Sequence, residues 1–252
     1  METSSAKDRV LSLPELLIAI IIQLPQREIL VNAQRVSHKW HAIVKSQRIQ
    51  QALFFASSSP TEPVFNPMLT EAFPPWFKPP NTTSYLPEQS FDGLDWASSS
   101  AKRDAYSRKE ASWRKMLVVQ PPARTLEIVQ CKSYPRGTWK KVGNVTFADG
   151  VRMGVLFDYA QNTVSSMNWW FCVQWHILNR VDEEHKNNGA SIEENLDREI
   201  GLGDSKVTLR TNYSFQCVKS CRKEYGPGHR FRSEGYKELK VIFGEETSCG
   251  RS

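Results

Sequence analysis

Cysteine and histidine are the residues of this chain whose spacing could support chemistry. Cys217 and Cys221 lie four apart, with His229 eight residues further on and Cys249 near the end of the sequence. A structural zinc site closes with four ligands. Here only Cys249 is available as a fourth, so thiols without metal are the expectation. His38 and His41 are three apart on a helix and read as surface polar residues. Cys172 and His176 are four apart in a strand-like stretch, which places them on one face without making them a nucleophile–base pair. Gly226-Pro227-Gly228 reads as a turn. The sequence holds no phosphate-binding glycine loop, dinucleotide fingerprint or His-Glu-x-x-His zinc helix. No catalytic residue, metal or cofactor is expected, and the chain is not expected to be an enzyme.

The composition is that of a globular protein. Of 252 residues, 40% are hydrophobic and 24% charged, enough for a sizeable core and an ordinary surface. Net charge is +6, modest for this length, and it is unevenly distributed. Residues 182–204 carry eight acidic side chains against two basic, whereas residues 206–240 carry nine basic against three acidic. The first segment reads as a solvated loop or helix and the second as a charged face. Five irregularly spaced cysteines do not form a disulfide framework. The first ten residues are polar and do not resemble a secretory leader. The three Asn-x-Ser/Thr triplets at Asn81, Asn144 and Asn212 are then read as chance. The nine-residue apolar run 16–24 is far short of the roughly 20 residues needed to span a bilayer. A soluble protein of the cytosol or nucleus, without a membrane partner, is the expectation.

The elements that would position any site begin at residue 11. Ser12 and Glu15 have the spacing of a capping box, and Pro14 suits a first helical turn. The helix expected over 14–23 is apolar nearly all round, through Leu16, Leu17, Ile18, Ile20, Ile21 and Ile22. Such a helix is buried on more than one side. Pro25 ends it. A second helix is expected over 27–34, and a third follows a Ser37 cap with Trp40, Ile43 and Val44 on one stripe. Ser46 restarts the chain towards Ile49, Leu53 and Phe54. Eight of the fourteen prolines fall between Pro60 and Pro87, so this stretch reads as a linker or an irregular wrap. Its aromatics, Phe65, Phe73, Trp76, Phe77 and Tyr85, suggest that it is pinned to a core. Residues 97–110 read as a polar, disordered excursion.

A mixed second domain is expected from about Ser112. It holds a short helix ending near Leu117, a strand at 126–129, a helix at 151–159, and strands at 168–178, 207–218 and 236–243. The aromatic group Trp169, Trp170, Phe171 and Trp175 reads as domain core, with a cargo pocket as the sharper alternative. The basic stretch 219–232, carrying Tyr225 and Phe231, reads as a solvated face rather than a nucleic-acid groove. No internal repeat is visible.

The order Leu13-Pro14-Glu15-Leu16-Leu17, Ile20-Ile21-Ile22-Gln23-Leu24-Pro25, then Val36-Ser37-His38-Lys39-Trp40 with Ile43, resembles an F-box. Downstream, Asn66-Pro67-Met68-Leu69, Phe73-Pro74-Pro75-Trp76-Phe77 and Trp113-Arg114-Lys115-Met116-Leu117-Val118 look like the F-box proteins expanded in filamentous fungi. The resemblance implies an adaptor without chemistry of its own. Its F-box would bind the Skp-type adaptor of an SCF (Skp–cullin–F-box) ubiquitin ligase and, through it, a cullin. The C-terminal domain would recruit an unknown protein substrate. The adaptor-binding residues implied are Leu13, Pro14, Leu16, Leu17, Ile20, Ile21, Leu24, Pro25, Ile29, Leu30, Val36, Trp40 and Ile43, of which Val36 and Trp40 are expected in the module's own interior.

The fold class expected is α+β, a small helical F-box module followed by a mixed C-terminal domain. The divisions are a disordered lead at 1–10, the F-box at 11–55, a Pro-rich linker or wrap at 56–111, the recruiting domain at 112–246 and a tail at 247–252. The competing readings are a basic helical nucleic-acid binder and an F-box protein that acts with the adaptor outside ubiquitination. Against the first, the helix expected over 14–23 is too apolar to lie beside phosphates, and nucleic acid is not expected as a partner.

Overall fold

The computed structural model describes residues 13–77, 91, 94–134, 137–164, 169–176, 206–214, 239–244 and 247–249. The lead 1–10, the Ser12 cap, Tyr85, the acidic segment 182–204, the basic stretch 219–232, Cys217, Cys221, His229 and the Gly226 turn lie outside the described residues. The architecture is α+β: a helical N-terminal unit, then a mixed sheet with helices.

Four helical runs build the first unit. Helix α1 is Pro14–Ile22, with Pro14 in its first turn and extended Leu13 at its N-cap, not Ser12. Helix α2 combines Gln26–Glu28, a π-helical Ile29–Ala33 and Gln34–Val36. It therefore runs past both ends of the helix anticipated over 27–34. Helix α3 is His38–Val44, and the Ser37 side chain accepts from the Trp40 amide at 3.2 Å, as a Ser cap should. Helix α4 is Gln47–Ala52. Leu17, Ile21, Ile29, Ala33, Ile43, Val44, Ile49 and Leu53 close a core of their own. Gln26 ties α2 to the end of α4 by donating from Nε2 to the Ala52 carbonyl at 2.7 Å.

The end of this unit is held by the next. Phe54 takes a left-handed turn (φ 62°), and its carbonyl accepts from the Leu117 amide at 2.7 Å. Buried Gln120 donates from Nε2 to the carbonyls of Gln51 (2.9 Å) and Ala56 (3.0 Å). Its Oε1 accepts from Ser58 Oγ at 2.6 Å. The Gln120 side chain thus ties the end of α4 and the residues just after it to the segment Val119–Gln120.

The proline-rich stretch does more than wrap. Strand β1 (Val64–Phe65) pairs antiparallel with β2 (Val119–Gln120). Helix α5 (Pro67–Ala72) and helix α6 (Pro74–Phe77) follow, each opening on proline. Phe73 and Trp76 are fully buried. The Phe73 ring meets those of Trp76, Trp96, Tyr106, Trp113 and Phe157 at centroid distances of 4.8–6.0 Å. Asn66, 0% exposed, caps α5 by accepting from the Met68 amide at 3.1 Å and donates to the Leu117 carbonyl at 3.3 Å. Asn66→Ala removes the cap and leaves a buried carbonyl short of its donor. A loss of about 1–2 kcal/mol is expected in urea unfolding, with an unchanged slope.

The stretch 97–110, anticipated as disordered, contains helix α7 (Ser100–Ser107). What its polarity hides is Tyr106, whose ring stacks on Trp96 at 4.9 Å and 3°. A 3-10 turn, Ser112–Lys115, stands where a short helix was expected.

The sheet has five strands in the order β5-β6-β3-β4-β7, taking β3 as Thr125–Tyr134, β4 as Gly137–Thr146, β5 as Trp169–His176, β6 as Lys206–Ser214 and β7 as Thr247–Cys249. Strands β3 and β6 are parallel and the other neighbours antiparallel. Strand alternation sends Leu126, Ile128, Val207, Leu209, Phe171 and Val173 to one buried face. Helix α8 (Met153–Val164) belongs to the same core through Leu156, Phe157 and Ala160. It follows Gly150, whose φ of 92° favours glycine. Gln130 donates to the Tyr159 hydroxyl of α8 at 2.9 Å.

Two expectations for the end of the chain are corrected. Residues 239–244 are not a full strand; Phe243 makes an isolated bridge to Gly143. A Cβ at Gly143 would lie 2.5 Å from Val241 Cγ1 and 2.7 Å from the Ile242 carbonyl oxygen, so this close approach requires glycine. Within the 247–252 tail, Thr247–Cys249 pairs with Thr138–Lys140 of β4. Strand β4 itself was not anticipated, because its lysines interrupt the apolar alternation.

Candidate partner-binding face

Of the cysteine and histidine pairs considered, His38/His41 and Cys172/His176 fall among the described residues. Among the described residues, no group of three or more His, Cys, Asp or Glu side chains could hold a metal ion. His176 Nε2 lies 3.0 Å from Thr208 Oγ1, which donates to Glu127 Oε2 at 3.2 Å. Lys206 donates to Glu127 Oε1 at 2.5 Å. The imidazole is thus engaged in a polar network on the sheet. Burial pushes the Cys172 thiol above its ordinary pKa, an effect offset in part by the Arg210 charge. That is the reverse of what a nucleophilic cysteine needs. His38 is exposed and His41 half-buried on α3. Phe171 is buried in the core, and Trp175 stacks on Phe77 at 5.5 Å and 8° while donating from its indole to the Trp76 carbonyl at 3.0 Å.

Burial also raises the Tyr159 hydroxyl, to about 12, against a small lowering from Gln130. The sign follows directly. A folded-state pKa above the ordinary 10.0 stabilises the fold fully below pH 10 and loses that stabilisation as pH rises towards 12. Tyr159→Phe should therefore flatten the fall of stability between about pH 10 and 12. Urea midpoints measured across that range check it.

What the structure does assemble is an exposed apolar surface on the N-terminal unit. Helix α1 is apolar on both sides, and its two sides part ways. Leu17 and Ile21, four apart, are 0% exposed and point into the unit. Leu16 and Ile20, also four apart, are 43% and 42% exposed. Leu13 and Leu24 extend that line at i−3 and i+4, where helical spacing keeps side chains on one face. On α2, Ile29 and Ala33 turn inward while Val31 and Val36 are 51% and 60% exposed. Six of the nine exposed large apolar side chains among the described residues thus fall within residues 13–36.

The residues implied as adaptor contacts therefore separate by position. Leu13, Pro14, Leu16, Ile20, Leu24, Pro25 and Val36 are exposed. Leu17, Ile21, Ile29 and Ile43 are interior, where they shape the surface without being part of it. Leu30 is half-buried and packs against both cores, and Trp40 is half-buried against the N-terminal core. The expectation that Val36 is interior is corrected. The π-helical turn of α2 closes i→i+5 and so shifts Val36 off the Ile29–Ala33 line. Val31, two positions from buried Ile29, lies on the opposite side of the helix and is exposed.

Residues 10–51 match the model of the F-box domain. No curated protein and no solved structure matches the chain. The matched span coincides with the four helical runs from α1 to α4 and takes in every residue of the exposed apolar line: the N-terminal unit of this protein is an F-box domain.

Proposed function

We propose that this protein is a substrate-recruiting subunit of an SCF-type ubiquitin ligase. Its F-box would hold a Skp-type adaptor, which carries the cullin, and its α+β part would hold a protein cargo. The observation that carries this reading is the exposed line Leu13, Leu16, Ile20 and Leu24 with Val31 and Val36, on a domain whose interior is already closed by Leu17, Ile21, Ile29 and Ile43. Apolar side chains in that number gain free energy only when a partner removes them from water. Each such side chain fully buried contributes roughly 1.5–3 kcal/mol. The surface needs no reacting group, and the reading assigns the chain no chemistry of its own. The site of action that goes with it is the cytosol or nucleus.

The test is co-expression of the full chain with a Skp-type adaptor, followed by size-exclusion chromatography. A one-to-one complex is expected. A full chain that stays soluble and elutes apart from the adaptor would overturn the proposal. Ubiquitination of a bound cargo by the assembled ligase then separates ligase work from action with the adaptor alone.

A further inference from the structure

A cavity of about 210 Å³ opens on the second core, close to the F-box. Its floor is Leu69, Trp113 and Met116, all buried, and half-buried Tyr106 forms a wall. Ala105 of α7 and Ser112, both exposed, stand at its mouth. The mouth is open because these two side chains are small. An apolar cavity of about 150 Å³ is enough for a benzene ring. This one therefore has room for one aromatic or branched aliphatic side chain. The apolar atoms that line it gain contacts when such a group fills it.

Helix α2 of the F-box runs beside this cavity. Its Leu30 packs against the second core as well as its own. Arg27, one turn earlier, is exposed and lies near Tyr106. Burial raises the pKa of the Tyr106 hydroxyl and the Arg27 charge lowers it, ahead of Glu71 and Asp95, which raise it. Such an influence on a partly exposed group is felt only at short range. Arg27 and Val31 stand one turn apart on the exposed side of α2, and Val31 belongs to the apolar surface already described. The cavity is therefore continuous, by way of Arg27, with the face the F-box offers to its adaptor. We propose that the Skp-type adaptor reaches past the F-box and seats one aromatic or branched aliphatic side chain in this cavity, so that its interface spans both units of the chain. The inference rests on the reading of this protein as an adaptor-binding subunit. A partner that covers Val31 is already held against α2 and needs only to extend across Arg27. A different protein at the same mouth would compete with it for the space over α2.

The test is the affinity of the full chain for a Skp-type adaptor, measured by calorimetry for the parent and for two variants at the mouth of the cavity. Ala105→Trp fills the space from an exposed position, and Ala105→Glu sets a carboxylate over it without adding bulk to the core. Both are expected to keep the parent's unfolding midpoint and to bind the adaptor about tenfold more weakly. In the parent complex, slower hydrogen exchange is expected at residues 105–113. Should Ala105→Trp lower the midpoint, Ala105→Glu and the exchange measurement carry the test. Equal affinity in parent and variants, with exchange at 105–113 unchanged, would overturn this proposal and leave the adaptor reading standing. A parent that does not bind the adaptor at all would overturn both. Self-association of the parent that is lost in Ala105→Trp, with adaptor affinity unchanged, would give the cavity to a second copy of the chain and overturn the proposal.

Discussion

Replacing Leu16 and Ile20 together by Asp is expected to abolish capture of a Skp-type adaptor while leaving the chain folded. Both side chains are more than two-fifths exposed, so the folded protein tolerates carboxylates there. In a complex the two apolar groups would be lost from the interface, at roughly 1.5–3 kcal/mol each. Two carboxylates would also be left against an apolar partner surface, which adds a desolvation cost. A loss of about 3–6 kcal/mol from the apolar groups alone weakens affinity by roughly a hundredfold to ten-thousandfold. The contrast is Leu17→Asp, one residue away and 0% exposed. That change should unfold the F-box itself and show as a lost thermal transition, because it buries an unpaired charge. Equal behaviour of the two variants would mean that the two sides of α1 have been assigned wrongly.

Asp158→Ala is expected to cost about 3–5 kcal/mol of stability, a large part of what a domain has. Asp158 of α8 accepts from both ends of the Arg114 guanidinium, at 3.1 and 2.6 Å, and the two side chains are 4% and 9% exposed. The guanidinium also lies 5.3 Å from the centre of the Trp113 ring. The pair joins α8 to the Ser112–Lys115 turn beneath the aromatic core. Removing the carboxylate leaves a cation in a place water does not reach. Replacing both partners, as Arg114→Met with Asp158→Leu, should cost less than either single change, since no charge is then stranded. Urea unfolding of the three variants checks the order. A cost under about 1 kcal/mol for Asp158→Ala would show that the buried pair is not holding α8 in place.

The F-box could be read from the sequence because its features are local. Two Leu-Pro pairs delimit α1, the Ser37 cap starts α3, and the spacing of apolar residues along α1 is helical. Which side of α1 faces out could not be read, since a helix apolar all round has no polar face to mark solvent. Leu16 and Leu17 are alike as residues and opposite in exposure. Val36 was misplaced because a π-helical turn leaves no trace in an α-helical pattern.

The second core was harder for a different reason. Its centre comes from a proline-rich stretch whose short helices, Pro67–Ala72 and Pro74–Phe77, are held by packing and the Asn66 cap more than by helix propensity. Strand β4 was concealed by Lys140 and Lys141, and β7 is only three residues long. Both are stabilised by pairing with distant chain, which no local pattern records. The same holds for Gln120, whose carbonyl partners on the F-box side lie more than sixty residues earlier.

Hydrogen–deuterium exchange of the full chain, with and without a Skp-type adaptor, tests the central claim most directly. Slower exchange is expected across residues 13–36, where the exposed apolar line lies, with the β-sheet strands unchanged. Protection confined to the sheet, or no protection at residues 13–36 in a complex known to have formed, would contradict it.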